Sequence, residues 1–246
     1  MEAAIVFDRV TKSFGPLKVL DEVSFEVRRG SAFCILGRSG TGKSVTIKQL
    51  MGLIKPDRGR IYVEGEEITA LEGEELARAR KHMGFLFQYS ALFDSISVGE
   101  NVAFPLRRHT TLRDSEIRER VDRKLRRVGL EGIYNQMPAD ISGGMRKRVG
   151  LARALALDPP IVLADEPSSG LDPVTSREID DLFLDLKHNE GTTMVIVTHN
   201  IPSARRIGDE LAVLHQGRIL ARGSAADLEA SEHEIVREFM KAEGCI

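Results

Sequence analysis

The sequence predicts an α/β fold, a mainly parallel sheet covered by helices on both faces, and three observations predict it. Unbroken apolar runs at residues 31–36, 161–164 and 194–198 have the length of strands buried on both sides. Amphipathic helical patterns separate such runs, as where Ile179, Leu182, Phe183 and Leu186 share one face before Gly191. The first run passes through a glycine loop straight into a helical segment at residues 44–53, and strands alternating with helices argue parallel pairing.

The chain has 246 residues, 42% of them hydrophobic, enough for a sizeable core in one domain over residues 1–246. A net charge of −2 lacks the overall basic footprint of a generic nucleic-acid binder, so no nucleic-acid partner is expected. Cys34 and Cys245 form no disulfide framework and suit a reducing, cytoplasmic compartment; Cys34, within an apolar run, reads as a core thiol. No apolar run approaches the ~18 to 20 residues needed to span a bilayer. The start carries Glu2 and lacks a basic segment followed by an apolar one, so no signal peptide is expected. Any membrane role must then come through a partner.

Taken in order, Val23, Phe25 and Val27 alternate with polar neighbours as in a half-buried strand, and Arg29-Gly30 makes a turn before the first buried run. Residues 60–63 and 84–87 look like further strands. From about residue 95 to 158 the pattern turns helical and charge-rich, with Ile117, Val121, Leu125 and Val128 at helical spacing and Gly129 as a C-terminal cap. That stretch is the expected inserted helical subdomain. Its Arg118, Arg120, Arg123 and Arg126 read as a solvated face. Residues 211–214 and 219–221 flank a Gln216-Gly217 turn as a hairpin, and there is neither an internal repeat nor a low-complexity tract.

Gly37-Arg38-Ser39-Gly40-Thr41-Gly42-Lys43-Ser44 matches the P-loop pattern and sits between a buried strand and a helix start, where its mechanism needs it. The glycines let backbone N–H groups turn inward onto phosphates, helped by the helix N-terminus. Lys43 is placed to neutralise the β- and γ-phosphates of ATP, and the Ser44 hydroxyl to coordinate Mg²⁺. Asp165 ends a buried strand at the edge where open α/β sheets bind ligands, so it is the second metal-side group. Glu166 beside it is the expected general base toward the attacking water. His199 ends the next buried strand and is placed toward the γ-phosphate or that water; Gln88, after the strand at 84–87, reaches the metal by the same logic.

A second glycine site, Ser142-Gly143-Gly144-Met145, precedes a helix expected to run to about residue 157; Ser142 fits as its N-cap, and such a start is an anion site. With these motifs in this order the chain resembles, over essentially its whole length, the nucleotide-binding subunit of ATP-binding cassette (ABC) transporters. The resemblance makes residues 37–44 the Walker A loop, followed by Val45, and Gln88 the Q-loop glutamine. Ser142, Gly143, Gly144 and Met145 match the signature motif, and Asp165 and Glu166 the Walker B aspartate and catalytic glutamate. Ser169-Gly170-Leu171-Asp172 matches the D-loop, His199 the switch histidine, and Phe14 the aromatic that stacks on adenine.

The fold so implied is a P-loop NTPase, with a RecA-like core, an N-terminal antiparallel β subdomain and the inserted helical subdomain. The implied assembly is a head-to-tail homodimer, in which Ser142 and Gly144 of one subunit meet the γ-phosphate held by the other. The segment after Gln88 would receive an integral membrane permease, which places the subunit on the inner face of the cell membrane.

A narrower resemblance concerns the cargo. Met145 stands where the signature usually has glutamine, and Phe87-Gln88-Tyr89-Ser90-Ala91-Leu92-Phe93-Asp94 leads into Glu100-Asn101-Val102-Ala103-Phe104-Pro105-Leu106. Both features look like the Mla-type ATPases of phospholipid and other lipid traffic, which implies an MCE-type substrate-binding subunit and a small regulatory subunit as partners. Ala164 and the Ser-Gly-Leu-Asp D-loop differ from some Mla members. The alternatives are the ATPase of an amino-acid importer or of a lipoprotein-release system, and a soluble non-transport cassette. The last would bring a long coiled-coil insertion, tandem cassettes or a basic groove, and none is visible in the sequence.

Overall fold

The computed structural model describes residues 2–241, so Cys245 lies outside the described residues. In chain order the strands are β1 (Ala3–Phe14), β2 (Leu17–Arg28), β3 (Ala32–Leu36), β4 (Arg58–Val63), β5 (Glu66–Glu67), β6 (Met83–Leu86), β7 (Ile161–Asp165), β8 (Thr193–Thr198), β9 (Glu210–His215) and β10 (Arg218–Gly223). The helices are α1 (Lys43–Leu50), α2 (Gly73–Arg80), α3 (Val98–His109), α4 (Asp114–Arg127), α5 (Gly143–Ala154), α6 (Pro173–Glu190), α7 (Ile201–Ile207), α8 (Ala225–Glu229) and α9 (Glu234–Lys241). The strands form two sheets, ordered β2-β1-β4-β5 and β10-β9-β3-β8-β7-β6. The first is antiparallel. The second is parallel apart from its terminal β9–β10 hairpin.

Why the central runs are unbroken follows from what lies on each side of them. Cys34, Ala164, Met194 and Ile196 face a core shared with α3 to α7. Their neighbours Phe33, Ile35, Leu163, Val195 and Val197 face a second core with α1 and the antiparallel sheet. A strand covered on both sides has no polar face, so the alternation of β2 disappears in β3, β7 and β8. Burial pushes the Cys34 thiol up to about 12, so it behaves as a small apolar group.

The two sheets are joined through aromatic packing. Phe7 of β1 stacks on Phe25 of β2 with ring centroids 4.6 Å apart, and Phe25 stacks on Phe33 of β3 at 4.9 Å. All three rings are fully buried, and cutting such a side chain back to alanine costs about 3–5 kcal/mol.

Helices end where backbone chemistry ends them. The segment expected at residues 44–53 is α1, Lys43–Leu50, stopped ahead of Gly52 at φ +62°. The helix expected to reach residue 157 ends at Ala154, because Leu155 to Asp158 turn toward β7 with Asp158 left-handed at φ 52°. Gly129 and Gly191 adopt the left-handed conformation expected of C-terminal caps. The arginine face of α4 is solvated and paired locally, Arg118 with Asp122 and Arg123 with Glu119, while Arg118 also lies over the Tyr134 ring. No helix among the described residues is long and apolar enough to cross a membrane.

Candidate functional site

The C-terminal ends of β3, β7 and β8 lie side by side, so the loops leaving them converge. Leu36 pairs with Thr198, and Asp165 pairs with Val197. The glycine loop leaves β3, Asp165 and Glu166 end β7, and His199 follows β8. A cleft of about 620 Å³ opens there, with Phe14, Val19, Ile201 and Phe239 among its walls. Arg38, Ser39, Gly40, Gly42, Lys43, Ser44, Val45, Gln88, Glu166 and His199 also line it.

The loop is shaped by its glycines. Gly42, at φ +105°, stands immediately before α1, and a Cβ there would lie 2.9 Å from the Val19 carbonyl oxygen. Gly37 has no room either, since a Cβ would meet the Leu214 carbonyl oxygen at 2.5 Å. Lys43 folds back inside the loop, where its ammonium donates to the carbonyls of Gly37 at 2.7 Å and Arg38 at 3.1 Å. It also lies 3.5 Å from Glu166 Oε1. Burial lowers the Lys43 pKa, and the Glu166 carboxylate opposes that shift. A buried ammonium beside a helix N-terminus, at the floor of a glycine loop, can receive an anion.

Beside Lys43 the Ser44 hydroxyl donates to Asp165 Oδ1 at 3.1 Å. Burial raises the Asp165 pKa, with the Ser44 hydrogen bond opposing. These two groups and the Gln88 side chain offer only oxygen ligands, which suits a hard cation held jointly with substrate phosphates. Among the described residues no cluster of three or more His, Cys, Asp or Glu side chains stands ready to hold a metal.

Glu166 is the most constrained residue of the site. It is only 7% exposed and left-handed at φ 48°, a conformation that costs a non-glycine residue about 1–3 kcal/mol and clusters at functional sites. Its N–H donates to the Val197 carbonyl at 2.8 Å. Its Oε2 accepts from Thr198 Oγ1 at 3.1 Å and from the His199 N–H at 3.2 Å, and lies 2.8 Å from His199 Nδ1. The carboxylate is thereby aimed into the cleft.

The second glycine site lies elsewhere in the chain. Ser142 caps α5, its hydroxyl accepting from the Met145 N–H at 3.2 Å, and neither it nor Gly143 or Gly144 lines the cleft. A Cβ on Gly144 would stand 2.6 Å from Thr175 Cγ2. Asp172 caps α6, accepting from the N–H groups of Val174 and Thr175, each at 3.0 Å, and likewise does not line the cleft. A separate groove of about 560 Å³ lies beyond Gln88, lined by Met83, Phe85, Phe87, Phe93, Phe104 and Leu157 among others. Tyr89, next to it in sequence, is 86% exposed.

Sequence reasoning missed four members of this neighbourhood. Val19, Ile201 and Phe239 come to the cleft from β2, α7 and α9 and carry no motif. Thr198 lies inside a motif, and its hydroxyl role shows only when β7 and β8 are placed in register.

A profile of the family described as ABC transporter matches residues 20–169. The probable ribonucleotide transport ATP-binding protein mkl of Mycobacterium leprae is 44% identical over 240 residues, covering 98% of this chain and 69% of that protein. The intermembrane phospholipid transport system ATP-binding protein MlaF of Escherichia coli is 40% identical over 222 residues, 90% of this chain and 82% of that one. The methionine import ATP-binding protein MetN of Geobacillus kaustophilus is 40% identical over 242 residues, with 96% and 70% coverage. Among solved structures, a dimeric post-hydrolysis state of the ATP-binding cassette MJ0796 with ADP and Pi superposes with a TM-score of 0.84. It is 33% identical and covers 89% of this chain and 98% of that one.

Proposed function

The chain belongs to the ABC transporter family as an ATP-binding subunit, an ATPase coupled to transmembrane transport, and on that premise we propose a head-to-tail homodimer that drives a lipid-moving permease. The observation that carries the reading is the separation of the two anion sites. The Ser142 helix start is built like a phosphate site yet stays out of the chain's own cleft, so its ligand is the γ-phosphate held by a second copy. Dimeric structures among the solved neighbours support dimerisation.

In this reading ATP lies along the cleft with its base against Phe14 and its phosphates in the loop from Gly37 through Thr41 to Ser44 and Val45. Lys43 neutralises the β- and γ-phosphates, and Ser44, Asp165 and Gln88 hold Mg²⁺, which neutralises phosphate charge when bound. Glu166 takes the proton from the attacking water, a role worth about 10²- to 10⁴-fold in rate. His199 holds that carboxylate in place and faces the γ-phosphate. Ser142, Gly143 and Gly144 of the partner subunit close the site, and Asp172 shapes the loop beside them. Hydrolysis needs all of these at once, so turnover waits for the dimer.

The groove beyond Gln88 is apolar and open, which suits a short helix of an integral membrane permease. The subunit then works on the cytoplasmic face of the membrane. The phospholipid system named among the relatives supports a lipid cargo, with an MCE-type substrate-binding subunit and a small regulatory subunit as further partners. The methionine importer at equal identity favours a second reading, an amino-acid transporter.

Mixing chains carrying Lys43→Ala with chains carrying Ser142→Arg tests the sandwich, because a mixed dimer has one intact composite site. Activity well above either variant alone is expected, and none above them ends the head-to-tail reading. Purification from membranes tests the cargo. Recovery of an MCE-type protein with the permease is expected, and recovery of an amino-acid permease without one overturns the lipid assignment.

A further inference from the structure

A buried ammonium in α5 has no role in the chemistry above. Lys147 stands one turn inside the helix that Ser142 opens and is 6% exposed. An ammonium is costly to bury unless its donors are satisfied, and burial lowers the Lys147 pKa, with the Glu166 and Asp165 carboxylates opposing. Its donors go to two backbone carbonyls, that of Glu166 at 3.0 Å and that of Gln88. These carbonyls belong to the residues that face the attacking water and the metal.

The same stripe of α5 continues one turn at a time. At Gly150 a Cβ would meet Leu86 Cδ1 at 2.9 Å and Ser90 Cβ at 3.1 Å, so the helix lies directly on the segment after Gln88. Arg153 donates to the Ala91 carbonyl at 2.7 Å and also to that of Ser90. Ser90 and Ala91 are both left-handed, at φ 61° and 47°. Two consecutive non-glycine residues in that conformation persist only when their surroundings hold them there. Residues 147, 150 and 153 thus grip the backbone from Gln88 to Ala91 along one face of the helix.

We propose that Lys147 is a positioning residue that couples the two nucleotide sites of the dimer. It bolts the helix that meets the γ-phosphate in one site to the backbone of Gln88 and Glu166 in the other. The inference rests on the head-to-tail reading. When ATP draws the start of α5 toward the partner's phosphates, Lys147 carries the shift to the two residues that set up hydrolysis in its own cleft. A displacement of about 1 Å there changes rate by roughly 100-fold, so an interhelical movement of ordinary size is enough.

The test compares Lys147→Met and Lys147→Gln with the unmodified full-length chain for binding of a fluorescent ATP analogue, kcat and the sigmoidicity of rate against ATP. Lys147→Met is expected to bind the analogue within about 3-fold of normal, lose roughly 10- to 100-fold in kcat and respond hyperbolically to ATP. Lys147→Gln keeps an N–H donor and is expected to recover part of both the rate and the sigmoidicity. Should Lys147→Met fail to fold, the intermediate behaviour of Lys147→Gln carries the test. Unchanged kcat and sigmoidicity in either folded variant overturns the proposal, as does a loss of analogue binding that matches the loss of rate. Light scattering of Glu166→Gln chains with ATP separates the two ideas. If they never dimerise, the sandwich fails and the coupling with it; if they dimerise while Lys147→Met stays cooperative, the coupling alone fails.

Discussion

The Glu166 carboxylate and the His199 imidazole meet at 2.8 Å, Oε2 against Nδ1. The His199 N–H and the Thr198 hydroxyl donate to the same oxygen, so the imidazole is one of three groups that hold the carboxylate proposed as the base.

Removing the base and removing its holder should therefore differ in degree. Glu166→Gln is expected to lose about 10²- to 10⁴-fold in kcat while ATP still binds. His199→Ala leaves two donors in place and should lose less, on the order of 10- to 100-fold. Steady-state phosphate release beside nucleotide titration checks both, and equal losses would give His199 a chemical role of its own.

Asp165 makes a prediction about stability. Its pKa is raised by burial, so the folded protein keeps this proton at pH values where the unfolded chain has released it. The stability it contributes is fully present below the unfolded-chain value and is lost as pH rises through the folded one. At pH 7 the buried carboxyl group is then a net cost to the nucleotide-free fold. Asp165→Asn should melt higher than the unmodified chain at pH 7, by about 2–4 °C for each kcal/mol relieved. The advantage should vanish as pH falls below the carboxylate range, and turnover should be lost. A lower melting temperature at pH 7 would contradict this.

Gly144 lies against Thr175, whose Cγ2 would stand 2.6 Å from an added Cβ. Gly144→Ala should displace the start of α6 and with it Asp172, lowering kcat by roughly 10-fold or more with little change in ATP affinity. Thr175→Ser deletes the offending methyl and keeps the hydroxyl that donates to Asp172. The double variant Gly144→Ala with Thr175→Ser should regain most of the rate, and a failure to do so would place the defect in the phosphate contact itself.

Phe14 lines the cleft and is half exposed, and in the proposed reading its ring stacks on the base. Stacking of a base on an aromatic is worth about 1–3 kcal/mol, so Phe14→Ala should weaken nucleotide binding by roughly 5- to 150-fold. Phe14→Tyr should bind almost normally. Fluorescent-nucleotide titration distinguishes these outcomes.

What could be read from the sequence was what is local. The loop from Gly37 to Ser44 announces itself because its glycines, lysine and serine are contiguous, and strand and helix flank it as the chemistry requires. The runs of β3, β7 and β8 were visible because burial on both faces removes every polar alternation. Nothing in the sequence sets Lys147 apart from the other cations of its charge-rich stretch, since its burial is decided by the packing of α5 on the segment after Gln88. Phe239 was invisible for a related reason. It reaches the cleft from α9, more than two hundred residues beyond Phe14 in the chain.

The stacked rings of Phe7, Phe25 and Phe33 have a mechanical consequence. They weld the platform carrying Phe14 to the strand that feeds the glycine loop, so in the proposed reading adenine and triphosphate are gripped by one stiff jaw. Whatever swings during a transport cycle must then be hinged on the other side of the nucleotide, among the helices. Strain gauges such as paired spin labels should register a constant span across the two sheets throughout.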